Sequence, residues 1–375
     1  MKKILFVANV AKEHIIKFHI PSIKMLKDDG WVVDVACSGE EDVPFCDKQF
    51  KTSWKRNPFT PKTFKGIKEL KTIIKEGEYD VVYCHTPVGG LVARLAAKKA
   101  RKAGTRVIYF AHGYHFFKGA PLLNWLLYYP MEKILARKTD DIILINREDY
   151  ELTQRKFKKC TPYLLNGIGI DLDRLKLSED REAIREQYRK ELQIPNDATV
   201  LIYCAELLKN KNQTYLMRAL KKVLEKNPNV YLLLAGMDHC NGEFVEYAKK
   251  IGVDAHVRFL GWRDDIAKLY VTADICTPTS IREGFGINLI EAMYFGLPVV
   301  ATDNRGHRTI INDGENGFLA GLKDEATFAK RILELAENKE LRDKITKAAY
   351  DGCDKYKGVE VLKVLKDIIN KTEGN

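Results

Sequence analysis

A chain of 375 residues with 45% hydrophobic and 30% charged side chains is too apolar for disorder and long enough for two domains. Its longest uncharged apolar stretch, "GAPLLNWLLYYPM" at 119–131, falls short of the 18 or more residues that cross a bilayer, which argues against a membrane span. The net charge of +11 is lodged wholly in residues 1–172, where 30 Lys and Arg face 19 Asp and Glu; the remainder holds 32 of each.

From the N terminus, Lys2 and Lys3 before "ILFVANVA" imitate a signal peptide, but Lys12 and Glu13 follow at once and no cleavage site is evident. The run reads as a first buried strand. "WVVDVAC", "YDVVYCH", "RVIYFAH", "DIILIN" and "PYLLNG" continue the pattern, with helical stretches between them such as 88–103. Short β-branched and aromatic runs alternating with helices imply a parallel sheet covered on both faces. The charged segment 172–197, closed by "IPND", marks a boundary. Beyond it "ATVLIYCAE", "NVYLLLAG", "VRFLG", "ADICTPTS" and "LPVVATD" restart the rhythm, and three helices fill roughly 323–372 before a Lys-rich tail. The expected fold is α/β, with two Rossmann-like doubly wound domains, 1–172 and 173–354, facing a central cleft. A C-terminal helix at about 355–375 is expected to pack back on the first domain.

Open α/β sheets bind ligands at the carboxyl ends of their strands. Those ends are Asn9, His85, His112 and Asn146 in the first half, and Glu206, Gly236, Gly261 and Ser280 in the second. Asn146, before "REDY", also suits a helix N-cap. No GxGxxG follows the first strand and no GxxxxGK[ST] occurs, which argues against a nicotinamide-dependent dehydrogenase and a P-loop NTPase. The eight cysteines form no CxxC pair and several sit in apolar strands, so reduced thiols in a cytoplasmic protein are expected, with neither disulfides nor zinc.

The chemistry concentrates in "REGFGINLIEAMYFG", 282–296. A Gly-rich turn entering a helix presents free amides and the positive end of the helix dipole, which suits a phosphate. Gly284 and Gly286 allow close approach of a ligand. Glu283 and Glu291 would repel a phosphate but suit sugar hydroxyls, so the stretch describes a nucleotide-sugar site.

On these residues, and on "FHIPSIKMLKDDGWVVDVAC", "AHGYHFFKGAP", "LLNGIGID", "LLKNKNQ" and "ATDNRGHRTIINDGENGFL", the chain resembles retaining glycosyltransferases of family 4, which have the GT-B fold, and among them bacterial capsular and exopolysaccharide enzymes. The resemblance implies that Glu283 contacts the donor sugar. Phe285, Gly286 and the start of the helix at Ile287 would offer backbone amides, and Glu291 would bind ribose hydroxyls. It further implies that Lys211 neutralises the departing diphosphate and that His112 lies beside the reacting sugar. Gly236, Gly261 and Arg305 join the donor site; His14, His19 and His115 are weaker acceptor candidates. Where the family carries an arginine on a Gly-Arg step, this chain has Ala205 and Glu206. Lys209, Arg282 or Arg305 then substitutes, or Glu206 faces elsewhere. The Asp171-Leu172-Asp173 triplet mimics a metal motif but falls in the strand-end loop "NGIGIDLD", so no metal and no cofactor are expected.

The expected partners are a UDP-linked donor and a glycan or polyprenyl-linked acceptor, with no nucleic acid. A nucleotide-sugar epimerase of the same architecture and a non-catalytic nucleotide-sugar-binding subunit are the alternatives. "WKRNPFTPKTFKGIKELK" and "FFKGAPLLNWLLYYP", with Phe116, Phe117, Trp125, Tyr128 and Tyr129, suggest peripheral attachment to the anionic inner face of the cell membrane.

Overall fold

The computed structural model describes residues 1–54 and 60–371. The chain forms two compact units, Met1–Gly169 with Gly358–Asn375, and Ile170–Lys357.

The first unit opens with β1 (Lys3–Val10), α1 (Ile20–Asp28), β2 (Val32–Ser38), β3 (Lys48–Lys51) and α2 (Pro61–Gly77). It continues through β4 (Val81–His85), α3 (Pro87–Ala96), α4 (Lys98–Lys102), β5 (Arg106–Ala111), α5 (Leu122–Ala136), β6 (Asp141–Leu144), α6 (Arg147–Lys156) and β7 (Thr161–Leu164). The seven strands form one parallel sheet in the order β3-β2-β1-β4-β5-β6-β7. The central strands are fully buried because helices cover both faces, and this is why "ILFVA" and "VVYCH" are continuously apolar rather than alternating. β3 is absent from the sequence reading: "KQFK" is short, half-exposed and carries two lysines, as suits an edge strand. Asn146 caps α6 by accepting from the Asp149 amide at 2.9 Å.

The second unit contains α7 (Arg181–Glu191), β8 (Thr199–Cys204), α8 (Gln213–Leu224), β9 (Val230–Ala235), α9 (Glu243–Ile251), β10 (Val257–Gly261), α10 (Ile266–Thr272) and β11 (Ile275–Cys276). There follow α11 (Ile287–Tyr294), β12 (Val300–Thr302), α12 (Arg305–Ile310), β13 (Phe318–Ala320), α13 (Glu325–Glu337) and α14 (Lys339–Asp351). Four strands pair in parallel as β10-β9-β8-β11, and a bridge from Cys276 to Val299 leads on to the pair β12-β13. β13 hides in the sequence because it is three residues long and follows a Gly turn. The last helix, α15 (Gly358–Asn370), packs in the first unit, burying Val361, Leu365, Ile368 and Ile369. Arg106 donates to the Ile368 and Ile369 carbonyls at 2.8 and 3.2 Å, and Lys366 pairs with Asp29 at 2.6 Å.

Among the described residues of the first unit, Arg94 and Glu132 form the most deeply buried charge pair. Arg94 on α3 is fully buried, donates to both Glu132 oxygens on α5 at 2.8 and 2.9 Å, and lies 3.9 Å from the Tyr109 ring.

α5 corrects the expectation about exposed aromatics. Phe116 is fully buried, and Trp125, Tyr128 and Tyr129 pack against the core. The outward residues are leucines: Leu122 is 74% exposed, and Leu123, Leu126 and Leu127 are also largely exposed. The other stretch invoked there, "WKRNPFTPKTFKGIKELK", has its residues 55–59 outside the described residues. No described helix is long and apolar enough to cross a membrane.

Candidate functional site

In the second unit, the turn between β11 and α11 is tied to the loop before α8. The Ile281 amide donates to Asn210 O at 2.8 Å, Asn210 Nδ2 donates to Arg282 O at 3.0 Å, and Thr279 Oγ1 donates to Lys211 O at 3.0 Å. These bonds set two candidate side chains against each other. Lys211 Nζ donates to Glu283 Oε1 at 2.5 Å, and Ser280 Oγ donates to the same oxygen at 2.6 Å. Ser280 Oγ is in turn 2.7 Å from Tyr203 Oη, which is buried on β8. Lys211 and Glu283 each keep about a quarter of their side-chain surface in solvent, so the pair is open to a ligand.

Glycine makes two close approaches possible here. A Cβ on Gly306, at the start of α12, would overlap the Phe285 carbonyl and Glu283 Cβ, so only glycine lets α12 lie against the turn. Gly236, just after β9, faces the Ala205 carbonyl just as tightly. Asn304 Oδ1 caps α12 by accepting the Gly306 and His307 amides at 3.0 and 3.1 Å. His307 is fully buried, its Nδ1 2.7 Å from Thr302 O, and burial pushes its pKa down to about 4. Arg305 is buried and its Nε donates to Glu283 O at 3.4 Å. Phe285 is buried with its ring edge on Tyr356, while Gly284 and Gly286 lie in the turn and Ile287 begins α11.

Glu291 stands one turn into α11 and is 6% exposed. It accepts from Tyr270 Oη at 3.1 Å and from the Arg174 guanidinium. Burial raises the Glu291 carboxyl above its ordinary range, an effect that Arg174 and Tyr270 oppose only in part. Glu206, where an arginine is expected by resemblance, is exposed and faces His239 at 4.0 Å. Gly261 ends β10. Asp171 Oδ1 accepts the Asp173 and Arg174 amides at 3.1 and 3.2 Å, and Asp173 pairs with Lys176 at 2.8 Å.

In the first unit, His14, His19 and His112 meet with His85 at the carboxyl ends of adjacent strands. His115 stacks on Tyr128 at 4.7 Å and, with Asn9, Glu13 and His14, lines a cavity of about 320 Å³. The sequence reading contains neither the partnership of Arg174 with Glu291 nor His307. Arg174 is 117 residues from Glu291, and no spacing rule joins them. His307 was accessible through its cap: Asn304 followed three residues later by a histidine inside "NRGHRTII".

Two sequence families match, "Glycosyl transferases group 1" over residues 184–352 and "Glycosyl transferase 4-like" over residues 3–146. The chain is 42% identical over 370 residues to "Putative glycosyltransferase EpsD" of Bacillus subtilis (strain 168), covering 98% of this chain and 96% of that protein. It is 25% identical over 292 residues to the UDP-Gal:alpha-D-GlcNAc-diphosphoundecaprenol alpha-1,3-galactosyltransferase of Escherichia coli, covering 76% of this chain and 74% of that one. Among solved structures, Anabaena HepE in complex with UDP and glucose superposes with a TM-score of 0.76 at 21% identity, covering 98% and 99% of the two chains. WaaG, a glycosyltransferase involved in lipopolysaccharide biosynthesis, gives 0.72 at 20% identity, covering 99% and 100%.

Proposed function

The chain belongs to the glycosyl transferases group 1, family 4-like, with the GT-B fold, and on that footing we propose that it transfers a hexose or N-acetylhexosamine from a UDP-linked donor to a glycan or polyprenyl-linked saccharide, with retention at the anomeric carbon, in surface-polysaccharide assembly. The observation that carries this reading is the Lys211–Glu283 pair at the glycine turn that opens α11. Glu283 holds hydroxyls of the donor sugar. Lys211 and the amides of Phe285, Gly286 and Ile287 receive the diphosphate as charge builds on it. Glu291, kept in place by Tyr270, holds the ribose hydroxyls. Arg305, Lys209 and Arg282 stand in for the missing arginine, because Glu206 is turned to solvent. His112, with His14, His19 and His115, belongs to the side that receives the reacting sugar and the acceptor.

No side chain is assigned as a nucleophile. The acceptor oxygen bonds to the anomeric carbon on the face that the diphosphate leaves, and the acceptor proton passes to a leaving phosphate oxygen. Lys211 and the helix amides supply the positive charge, so no divalent cation bridges the phosphates. UDP release is the deciding measurement. It is expected to depend on acceptor and to proceed equally with and without added Mg²⁺ or Mn²⁺. Acceptor-independent release would favour an epimerase, and no release a binding subunit.

Lys211→Met is expected to weaken UDP binding about tenfold or more while leaving uridine affinity nearly unchanged, since a hydrogen bond to a charged group contributes roughly 1.5–3 kcal/mol and uridine lacks the diphosphate. Calorimetry with both ligands checks this; equal losses would mean a general disruption of the loop.

The exposed leucines of α5 support a peripheral membrane contact through that helix. We assign Leu122, Leu123, Leu126 and Leu127, flanked by Lys118 and Lys133, to the anionic cytoplasmic leaflet. Binding to anionic vesicles is expected to fall when Leu122 and Leu126 become serine, and to fall again with salt. Co-sedimentation that is equal for neutral and anionic vesicles and indifferent to both changes would remove the membrane from the reading.

A further inference from the structure

We propose that His14, His19, His85 and His112 form a four-nitrogen site for one divalent transition-metal ion, zinc being the type, at the carboxyl ends of β1, β4 and β5. The three strands are neighbours in the sheet, so their ends lie side by side. His85 is the last residue of β4 and His112 follows β5 directly. His14 sits in a single π-helical turn, Ala11–Ile16, directly after β1, and His19 precedes α1. Such turns are rare and recur at functional sites. Thr86, next to His85, is a β-branched residue at φ 64°, a strained conformation held exactly where the histidine is presented.

The geometry is that of a ligand set. One ring nitrogen from each histidine lies within 4.8 Å of the other three. The Nε2 atoms of His19 and His112 are 3.3 Å apart, within hydrogen-bond reach of each other. Two nitrogens on a tetrahedral zinc with bonds of about 2.0–2.1 Å stand roughly 3.3–3.4 Å apart, so this pair already has the spacing of one edge. His14, His19 and His85 are buried, and His14 Nε2 and both ring nitrogens of His85 find no hydrogen-bond partner among the described residues. Buried imidazole nitrogens without partners, as on His14 and His85, are unfavourable, because each has lost water and gained nothing. An ion supplies what is missing.

The donor set selects the ion. Four imidazoles suit zinc, copper, nickel or cobalt, whereas magnesium and calcium require oxygens, and Glu13, the acid nearest in sequence to His14, is exposed. The site differs in chemistry from a diphosphate site; His14, His19 and His112, assigned to the sugar and acceptor side, serve here as ligands, so the ion rather than their free nitrogens would face that side. The ligand set itself carries no negative charge, and the cavity beside His14, which Glu13 also lines, gives an anion or hydroxide access to it.

Metal analysis of the purified full chain, followed by Co²⁺ titration after removal of the native ion, tests the site. About one equivalent per chain is expected, with the visible ligand-field absorption of tetrahedral nitrogen coordination. His85→Ala and His14→Gln should each weaken Co²⁺ at least about 100-fold, beyond the 10–100-fold typical of outer-sphere partners. Circular dichroism identifies a variant that has not folded, and the other variant then carries the comparison. The double change Asp171→Asn with Asp173→Asn should leave binding intact. A chain that takes up no stoichiometric Co²⁺, that binds it undiminished in the folded histidine variants, or that loses it with the aspartates overturns the proposal.

Discussion

Glu283→Ala is expected to lower the rate of sugar transfer by roughly 10²-fold or more, the cost of misplacing a reacting group by about an ångström, while UDP binds as well as before or better. The two halves of this expectation have different causes. Glu283 is assigned to the sugar, so its loss leaves the anomeric carbon poorly placed for the acceptor. In the protein without ligand, however, Glu283 also occupies Lys211 through a 2.5 Å hydrogen bond. A diphosphate must compete with that carboxylate for the ammonium. Removing the carboxylate frees Lys211, which favours the nucleotide. Single-turnover kinetics alongside UDP calorimetry separates the two effects. A parallel fall in transfer and in UDP affinity would move Glu283 to the nucleotide.

The largest expected loss of stability follows from Glu132→Ala, about 3–5 kcal/mol in the first unit. The change strands the Arg94 guanidinium, which has no exposed surface, beside Tyr109 without its counter-charge. Replacing both partners, as Arg94→Met with Glu132→Leu, is expected to recover most of the loss, because apolar groups of similar volume carry no desolvation cost. Trp31, Trp54 and Trp125 all belong to the first unit, and the fourth tryptophan, Trp262, is 68% exposed. Tryptophan fluorescence in urea therefore follows the first unit selectively. An unchanged midpoint in Glu132→Ala would show that Arg94 relaxes to water.

The turn around Glu283 was legible because its chemistry is local: glycines, an acid and a helix start lie within a dozen residues. The cap at Asn146 was legible for the same reason. The long strands were readable from their apolar runs, whereas β3 and β13 were too short to announce themselves. What escaped is what the sheet assembles. His14 and His112 are nearly a hundred residues apart and meet only because β1, β4 and β5 are neighbours in the sheet, an order that no motif states. Arg174, in a short turn far from α11 in sequence, likewise reaches Glu291 only in the fold. On α5 the composition showed an apolar segment but not its rotation, so the aromatics seemed the exposed part. The sheet buries them because their large rings gain most from leaving water, and the leucines remain outside.

α15 makes the first unit discontinuous in sequence. The chain leaves that unit after Gly169 and returns at Gly358, so no single cut yields both units whole. A fragment ending at residue 169 would lack the helix whose carbonyls receive Arg106 and whose Lys366 neutralises Asp29. Chimeras that exchange the second unit with related glycosyltransferases should therefore be spliced at two junctions, as an insertion between residues 169 and 358. A simple head-to-tail fusion would pair one parent's sheet with the other parent's closing helix.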